Sequence, residues 1–166
     1  SAHAYRVPVA RRDVVERVQA PSDAYRVLDE GTDGACNIVP DSARSQYIVG
    51  YGSLMQDASR KRTTPQAHPA HPVEISGYRR GWFSRAEAAG FGATYLGVLP
   101  ERESRFNAVI YQVDPSELMT TDKREASYCR TDIAISDVKT LDGEFVPTPE
   151  GQVWLYVSRQ RSVAMP

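Results

Sequence analysis

A chain of 166 residues with a formal net charge of −1 is long enough for one globular domain with a substantial core. The near-neutral charge argues against a nucleic-acid partner, because such proteins usually carry a clear basic excess. No apolar run approaches the roughly eighteen residues that a membrane helix requires, and no apolar segment follows the first residues as it would in a signal peptide. We therefore expect a cytoplasmic protein with no nucleic-acid or membrane partner.

The first part of the chain is predicted to be a helical N-terminal extension over residues 1–45, ahead of a main domain over residues 46–166. Between residues 9 and 19, valines recur at helical spacing. A second short helix is predicted to begin near Ser22, a residue type that caps helix starts. Nothing in this extension points to a chemical role, and packing on the main domain or on a partner is the expected use.

The main domain alternates strands with turns. Its charged residues 101–105 predict a hairpin between two strong strands, and Asp114 with Pro115 predicts the cap and first residue of a helix that runs to about Glu125. Five or six short strands with few helices, and no βαβ units, predict an α+β fold built on a small mixed β-barrel. The predicted strands cover residues 47–51, 73–85, 93–99, 106–113, 131–138 and 152–158.

Residues 60–72 are predicted to be a loop, because three prolines disfavour regular structure there. The basic run Arg60–Arg62 is expected to be solvated. His68 and His71 lie three residues apart, a spacing that metal ligands can have, but no Cys, Asp or Glu supports them locally. We predict neither a metal nor a cofactor.

The chain holds two cysteines, Cys36 and Cys129. Two are too few for a disulfide scaffold, although a single bridge stays open. A thiol-dependent enzyme that uses Cys129 is a further hypothesis. It is disfavoured because no histidine lies nearby in sequence to activate the thiol.

The most informative segment is Tyr51-Gly52-Ser53-Leu54, which directly follows a hydrophobic strand. Glycine permits a sharp turn or a close approach of the backbone to a ligand. Such a loop can present several backbone N–H groups and one hydroxyl to an anion. We predict that these four residues bind a carboxylate or phosphate.

About seventy residues later, Glu125 is the predicted general base. Tyr128 follows three positions on, so that the two side chains would share one helix face and Tyr128 would contact the substrate. Asp122 is expected to make a structural hydrogen bond or salt bridge, and Arg130 to pair with an acid. Burial would raise the pKa of the Glu125 carboxyl toward neutrality.

The loop and the segment Asp122–Arg130, in this order and with strands between them, resemble the signature of the γ-glutamylcyclotransferase-like (AIG2-like) family. The resemblance covers about residues 46–158. Thr121, Ala126 and Ala108 depart from the residues that most members carry at these positions, which bears on substrate choice more than on chemistry.

The resemblance implies a γ-glutamyl cyclotransferase. In such an enzyme the α-amine of a γ-glutamyl group attacks its own γ-carbonyl, and 5-oxoproline and a free amine are released from a small γ-glutamyl peptide or amine. Glu125 would then be the general acid and base. The alternative is a non-catalytic barrel that binds a small carboxylate ligand or a protein partner, because fold alone does not determine function. The sequence leaves the oligomeric state open.

Overall fold

The computed structural model describes residues 36–88 and 91–159. They form a curled six-stranded mixed sheet with few helices, as predicted. The strand order is β4-β6-β1-β3-β2-β5, in which β1 and β6 are parallel and all other neighbours are antiparallel. The strands are β1 Gln46–Gly50, β2 His71–Ala88, β3 Phe91–Val113, β4 Tyr128–Ile133, β5 Val138–Thr140 and β6 Gln152–Ser158.

Two helices belong to this part of the chain, α1 Asp57–Arg60 and α2 Pro115–Arg124. The predicted start of α2 is confirmed. Asp114 is its N-cap, and the Asp114 N–H donates to the Glu117 carboxylate over 3.3 Å in a capping box. No helix of the described residues is long and apolar enough to cross a membrane.

The central strands β1 and β6 are buried on both faces, because successive side chains point to opposite sides of a strand. Val49 and Leu155 enter a core inside the curled sheet, while Ile48 and Trp154 enter a second core that α2 covers through Leu118. All five side chains are 0% exposed. The sheet is therefore packed on both sides at the place where β1 opens into the predicted loop.

The predicted hairpin at residues 101–105 is wrong. The two predicted strands on either side of it are one strand, β3, which pairs with β2 along both halves. The register jumps where Ser76 faces Arg105 but Tyr78 faces Pro100, so residues 101–104 of β3 lie opposite Gly77 alone. Gly77 has a φ of +86° there, which favours glycine and lets β2 pass the irregularity.

Three other predictions are corrected. The predicted strand 131–138 is divided by a 3₁₀ turn, Ile135–Asp137, into the end of β4 and the start of β5. The predicted loop 60–72 includes the last residue of α1 and the first two residues of β2. Arg60 is 7% exposed rather than solvated, because its guanidinium binds the carbonyls of Leu54 and Met55.

The two predicted helices of the N-terminal extension lie outside the described residues. Residues 36–45 form turns that are attached to the sheet. Cys36 forms a disulfide with Cys129 of β4, with a Cα–Cα distance of 5.1 Å. The Arg130 N–H also donates to the Asn37 side-chain oxygen over 3.0 Å. The bridge that the sequence left open is therefore present, and the thiol hypothesis is wrong for Cys129 in this state.

Candidate functional site

A cavity of about 260 Å³ opens where β1 ends, between the following turn and the far half of the β2–β3 ribbon. All six residues that the sequence predicts for the site contribute to its lining. The four other lining residues come from β2, β3 and β6 and were not predicted. The complete lining is Tyr51, Gly52, Ser53, Leu54, Trp82, Tyr95, Leu96, Glu125, Tyr128 and Tyr156.

The loop after β1 is a 3₁₀ turn, Gly52–Met55, in which the Leu54 N–H donates to the Tyr51 carbonyl over 3.2 Å. Glycine is favoured at Gly50 just before it, since a Cβ there would lie 3.0 Å from both the Cβ and the carbonyl oxygen of Leu54. Gly52 has a φ of +59°, which other residues adopt only with strain. The first N–H groups of such a turn have no acceptor within it, so those of Gly52 and Ser53 are suited to bind an anion.

Tyr51 attaches the start of the turn to strand β6. Its side chain is buried, and its hydroxyl donates to the Tyr156 carbonyl. Burial, followed by the nearby Tyr128 and Glu125, raises the pKa of the Tyr51 hydroxyl well above its ordinary value. Tyr51 therefore contributes a fixed neutral wall, and its ring meets the Tyr128 ring edge-on at 6.5 Å.

Two arginines that the sequence reasoning did not assign to the site hold the turn in place. The Arg60 guanidinium donates to the Met55 carbonyl over 2.8 Å and lies over the Tyr111 ring at 5.4 Å. The Arg124 guanidinium, at the end of α2, donates to the Ser53 hydroxyl over 3.0 Å and to the Ser59 carbonyl over 2.6 Å. The turn is thus tied to both helices by hydrogen bonds from charged groups, which are stronger than neutral ones.

Glu125 follows the last residue of α2. Its backbone N–H donates to the Thr121 carbonyl over 2.8 Å, which fixes the backbone at this position. The Glu125 side chain is 14% exposed, and one of its carboxylate oxygens lies 3.2 Å from the Arg124 Nε. Burial raises the pKa of Glu125, and the Arg124 charge opposes part of this rise. A carboxylate of raised pKa at a cavity wall is a better proton acceptor than an ordinary exposed one, so it is suited to take up and return a proton.

Tyr128 lies beside Glu125 for a different reason from the one predicted. It is the first residue of β4 and not part of α2, so a shared helix face does not exist. A turn brings it back instead, in which the Tyr128 N–H donates to the Glu125 carbonyl over 2.9 Å. The Tyr128 hydroxyl donates to the Leu96 carbonyl over 2.8 Å, which connects β4 to the β2–β3 ribbon.

Asp122 and Arg130 form a structural pair, as the sequence predicted for each. The Arg130 Nε donates to Asp122 Oδ1 over 2.9 Å, and the Tyr156 hydroxyl donates to the same oxygen over 2.7 Å. Arg130 is 3% exposed and stacks over the Trp154 ring at 4.2 Å. These contacts hold the end of α2, and with it Glu125, against the sheet.

Of the two loop histidines, His71 is the one that lies in a group of possible metal ligands among the described residues. His71 is the first residue of β2, and its Nδ1 lies 2.9 Å from Asp142 Oδ2, while its ring stacks on Phe145 at 4.7 Å. Glu144 completes a group whose potential ligand atoms lie within 4.8 Å of one another. The hydrogen bond between His71 and Asp142 and the ring stack account for this arrangement, and none of its members lines the cavity.

The family model described as "Gamma-glutamyl cyclotransferase, AIG2-like" matches residues 48–165 of this chain. The match begins inside β1 and includes every residue that lines the cavity. Among curated protein sequences, none matches significantly.

Solved structures share the fold at low sequence identity. A γ-glutamyl cyclotransferase from yeast, specific to glutathione, is similar with a TM-score of 0.54 and 12% identity over 69% of each chain. Another structure, described as a γ-glutamyl cyclotransferase, has a TM-score of 0.52 and 11% identity over 73% of this chain and 69% of its own. A protein from Arabidopsis thaliana has a TM-score of 0.52 and 16% identity over 71% of each chain.

Proposed function

Since the chain belongs to the γ-glutamyl cyclotransferase, AIG2-like family, we propose that it releases 5-oxoproline and a free amine from a γ-glutamyl peptide or amine. The single observation that carries this proposal is the position of Glu125. Its carboxylate is buried at the wall of the cavity that the Tyr51–Leu54 turn also lines, and burial raises its pKa. The reaction needs a carboxylate site and a proton carrier together, and this cavity offers both.

The turn would hold the α-carboxylate of the substrate. The Gly52 and Ser53 N–H groups lack acceptors within the 3₁₀ turn. The Ser53 oxygen accepts a hydrogen bond from Arg124, so its own O–H proton stays available to the carboxylate. Because the arginine contacts fix the turn in advance, little conformational freedom would be lost on binding.

Glu125 would carry the protons. Its carboxylate takes a proton from the α-ammonium, and the freed nitrogen attacks the γ-carbonyl carbon to close a five-membered ring. The bond from that carbon to the leaving nitrogen then breaks. Over the whole reaction two protons leave the α-nitrogen and two reach the leaving nitrogen, so the amine departs as an ammonium ion. Nucleophile and carbonyl belong to one molecule, so holding them in the attacking geometry supplies much of the acceleration.

The cavity size fits a small substrate head. Sites for drug-sized ligands are typically about 300–1,000 Å³. The cavity here, at about 260 Å³, is smaller and suits a glutamyl group, with the leaving amine toward the opening. Tyr128 would form the wall beside the reacting atoms, next to Glu125.

The test is 5-oxoproline release from glutathione, γ-glutamyl dipeptides and γ-glutamyl amines, with wild type and Glu125→Gln compared. We expect wild type to act on part of this panel and Glu125→Gln to lose about 10²–10⁴-fold in kcat, the usual contribution of a general acid–base group. Glu103→Gln, at an exposed carboxylate outside the cavity lining, is the matched control.

Full activity of Glu125→Gln would refute the assigned role of Glu125. Absence of release by folded wild type across the whole panel would refute the proposed reaction on these substrates, and it would favour the non-catalytic binding barrel instead.

A further inference from the structure

Two aromatic side chains at the cavity are largely exposed and form no hydrogen bond or ring contact within the described part of the chain. Trp82 is 69% exposed and Tyr95 is 49% exposed, although both line the cavity. The other aromatic lining residues are engaged: Tyr51 and Tyr156 are buried, and the Tyr128 hydroxyl is bonded to Leu96. Large exposed apolar groups gathered at a cavity are typical of ligand-binding surfaces.

The strand geometry directs both rings to the cavity side of the β2–β3 ribbon. The register shifts between Gly81 and Ser84, so that β2 carries one residue more than β3 there. Such a bulge bends the strand and redirects side chains. Phe83 is not among the lining residues, and its ring lies instead against Gly81, 2.5 Å from where a Cβ would stand, and 4.8 Å from the Arg79 guanidinium. Trp82 is thereby left on the side of the cavity.

Next to this bulge, strand β3 packs closely against β6 and β2 at Gly97. A Cβ on Gly97 would lie 1.9 Å from the Ser158 hydroxyl oxygen and 2.6 Å from that of Ser84. The two serine hydroxyls are themselves 2.7 Å apart and buried. Tyr95, two residues before Gly97 on β3, therefore faces the same side and stands at the opening on a fixed backbone.

From these positions we infer that Trp82 and Tyr95 form the binding site for the leaving group, and that the preferred substrates carry an aromatic ring on the departing amine. This inference rests on the proposed function. With the glutamyl head at the turn and at Glu125, the amine must point toward the opening, where the two exposed rings stand. Among the described lining residues Glu125 is the sole charged group, so a ring finds apolar and aromatic neighbours there.

The test compares two γ-glutamyl conjugates that differ only by a ring, the benzylamide and the ethylamide. We expect wild type to prefer the benzylamide in kcat/KM, and we expect Trp82→Ala to lower that preference about threefold to tenfold, the range for an aromatic pair. Trp82→Phe keeps a ring at the position and is expected to restore most of the preference. Tyr95→Ala should act in the same direction as Trp82→Ala.

Met119→Ala is the matched control, since Met119 is apolar and 67% exposed but lies on α2 outside the cavity lining. It should leave the preference between the two conjugates as in wild type. An equal preference in wild type and Trp82→Ala, or a wild type that favours the ethylamide, would overturn the inference.

A binding measurement separates this inference from the proposed reaction. In Glu125→Gln, the benzylamide conjugate is expected to bind more tightly than the ethylamide and to change the tryptophan fluorescence. The chain has two tryptophans, and Trp154 is 0% exposed, so Trp82 is the solvent-sensitive reporter. If no conjugate is turned over but this binding difference is found, the proposed reaction is refuted, while the proposed binding of a ring by Trp82 and Tyr95 is supported. Equal binding of both conjugates would overturn the proposed binding of a ring by Trp82 and Tyr95, whatever the enzyme activity.

Discussion

Two arginine–carboxylate pairs lie close together at the end of α2, and they differ in what surrounds the acid. Asp122 receives hydrogen bonds from both Arg130 and Tyr156, and it faces the sheet. Glu125 has Arg124 at 3.2 Å and faces the cavity, where burial raises the pKa of its carboxyl. Asp122 is therefore occupied by structural hydrogen bonds, whereas Glu125, whose pKa is raised by burial, is the carboxyl group that faces the cavity.

The arginines differ in the same way. Arg130 is buried beneath the helix and fastens α2 to β4 and β6. Arg124 is shared between Glu125 and the turn, because it also binds Ser53 and Ser59. One pair therefore stabilises the position of the helix, and the other links the proposed base to the proposed carboxylate site.

Breaking the first pair should cost the most stability. Asp122→Ala would leave the Arg130 guanidinium buried without its carboxylate, and it would remove the acceptor of the Tyr156 hydroxyl. We expect the free energy of unfolding to fall by about 3–5 kcal/mol, as when one partner of a buried ion pair is removed. Urea denaturation followed by circular dichroism would measure it. An unchanged midpoint would contradict the structural role of this pair.

Glu125→Gln provides the contrast in the same measurement. The folded pKa of Glu125 is raised, so its contribution to stability is present at low pH and is lost as the pH rises through the folded value. The neutral glutamine removes this loss. We therefore expect Glu125→Gln to be at least as stable as wild type at pH 7–8, with the difference shrinking toward acid pH.

The disulfide is the next largest expected effect. Cys36 and Cys129 are 93 residues apart in sequence, so their bridge restricts a long loop in the unfolded chain. The double variant Cys36→Ser/Cys129→Ser should lose about 2–4 kcal/mol of unfolding free energy. Treatment of wild type with a reductant should give a similar loss, and the double variant should then no longer respond to reductant. A response of the double variant would show that the reductant acts elsewhere.

The smallest effect concerns Arg124, and its signature is a pH profile. The Arg124 charge lowers the pKa of Glu125, so Arg124→Gln should move the acidic limb of kcat/KM to higher pH. Arg124→Lys keeps the charge while losing the forked contacts to Ser53 and Ser59. The acidic limb of kcat/KM for Arg124→Lys should stay near that of wild type. A fall in kcat, caused by the weaker hold on the turn, would not change this expectation. Equal limbs in both variants would contradict electrostatic control of Glu125 by Arg124.

Local signals made much of the fold predictable. Capping by Asp114 and Pro115 marked the start of α2, and the apolar run at residues 152–158 marked β6. The hairpin at residues 101–105 was a wrong prediction, because the unpaired segment inside β3 depends on pairing with β2 and has the charged composition of a turn. Long-range pairing of this kind leaves no local pattern to detect.

In the candidate site too, features with a local sequence signal were predicted, and features that depend on long-range contacts were not. The turn and Glu125 were predicted from their residue types, their spacing and the resemblance to the family, and the structure brings them to one cavity. Arg60 was predicted to be solvated, because its burial depends on carbonyl acceptors that only the folded turn provides. Trp82 was not predicted to line the cavity. Its direction depends on a register shift between β2 and β3, and the pattern of apolar and polar residues along β2 does not reveal that shift.

The pairing of β1 with β6 also bears on how the chain folds. These neighbours in the middle of the sheet are parallel, and Gln46 and Gln152, which bond to each other, are 106 residues apart. Loop closure over such a distance must precede any gain from the pairing, which slows folding. During synthesis β1 would leave the ribosome long before β6, so it would stay unpaired on its β6 side until β6 has been made. The sheet that shapes the cavity can therefore close only after nearly the whole domain has been made.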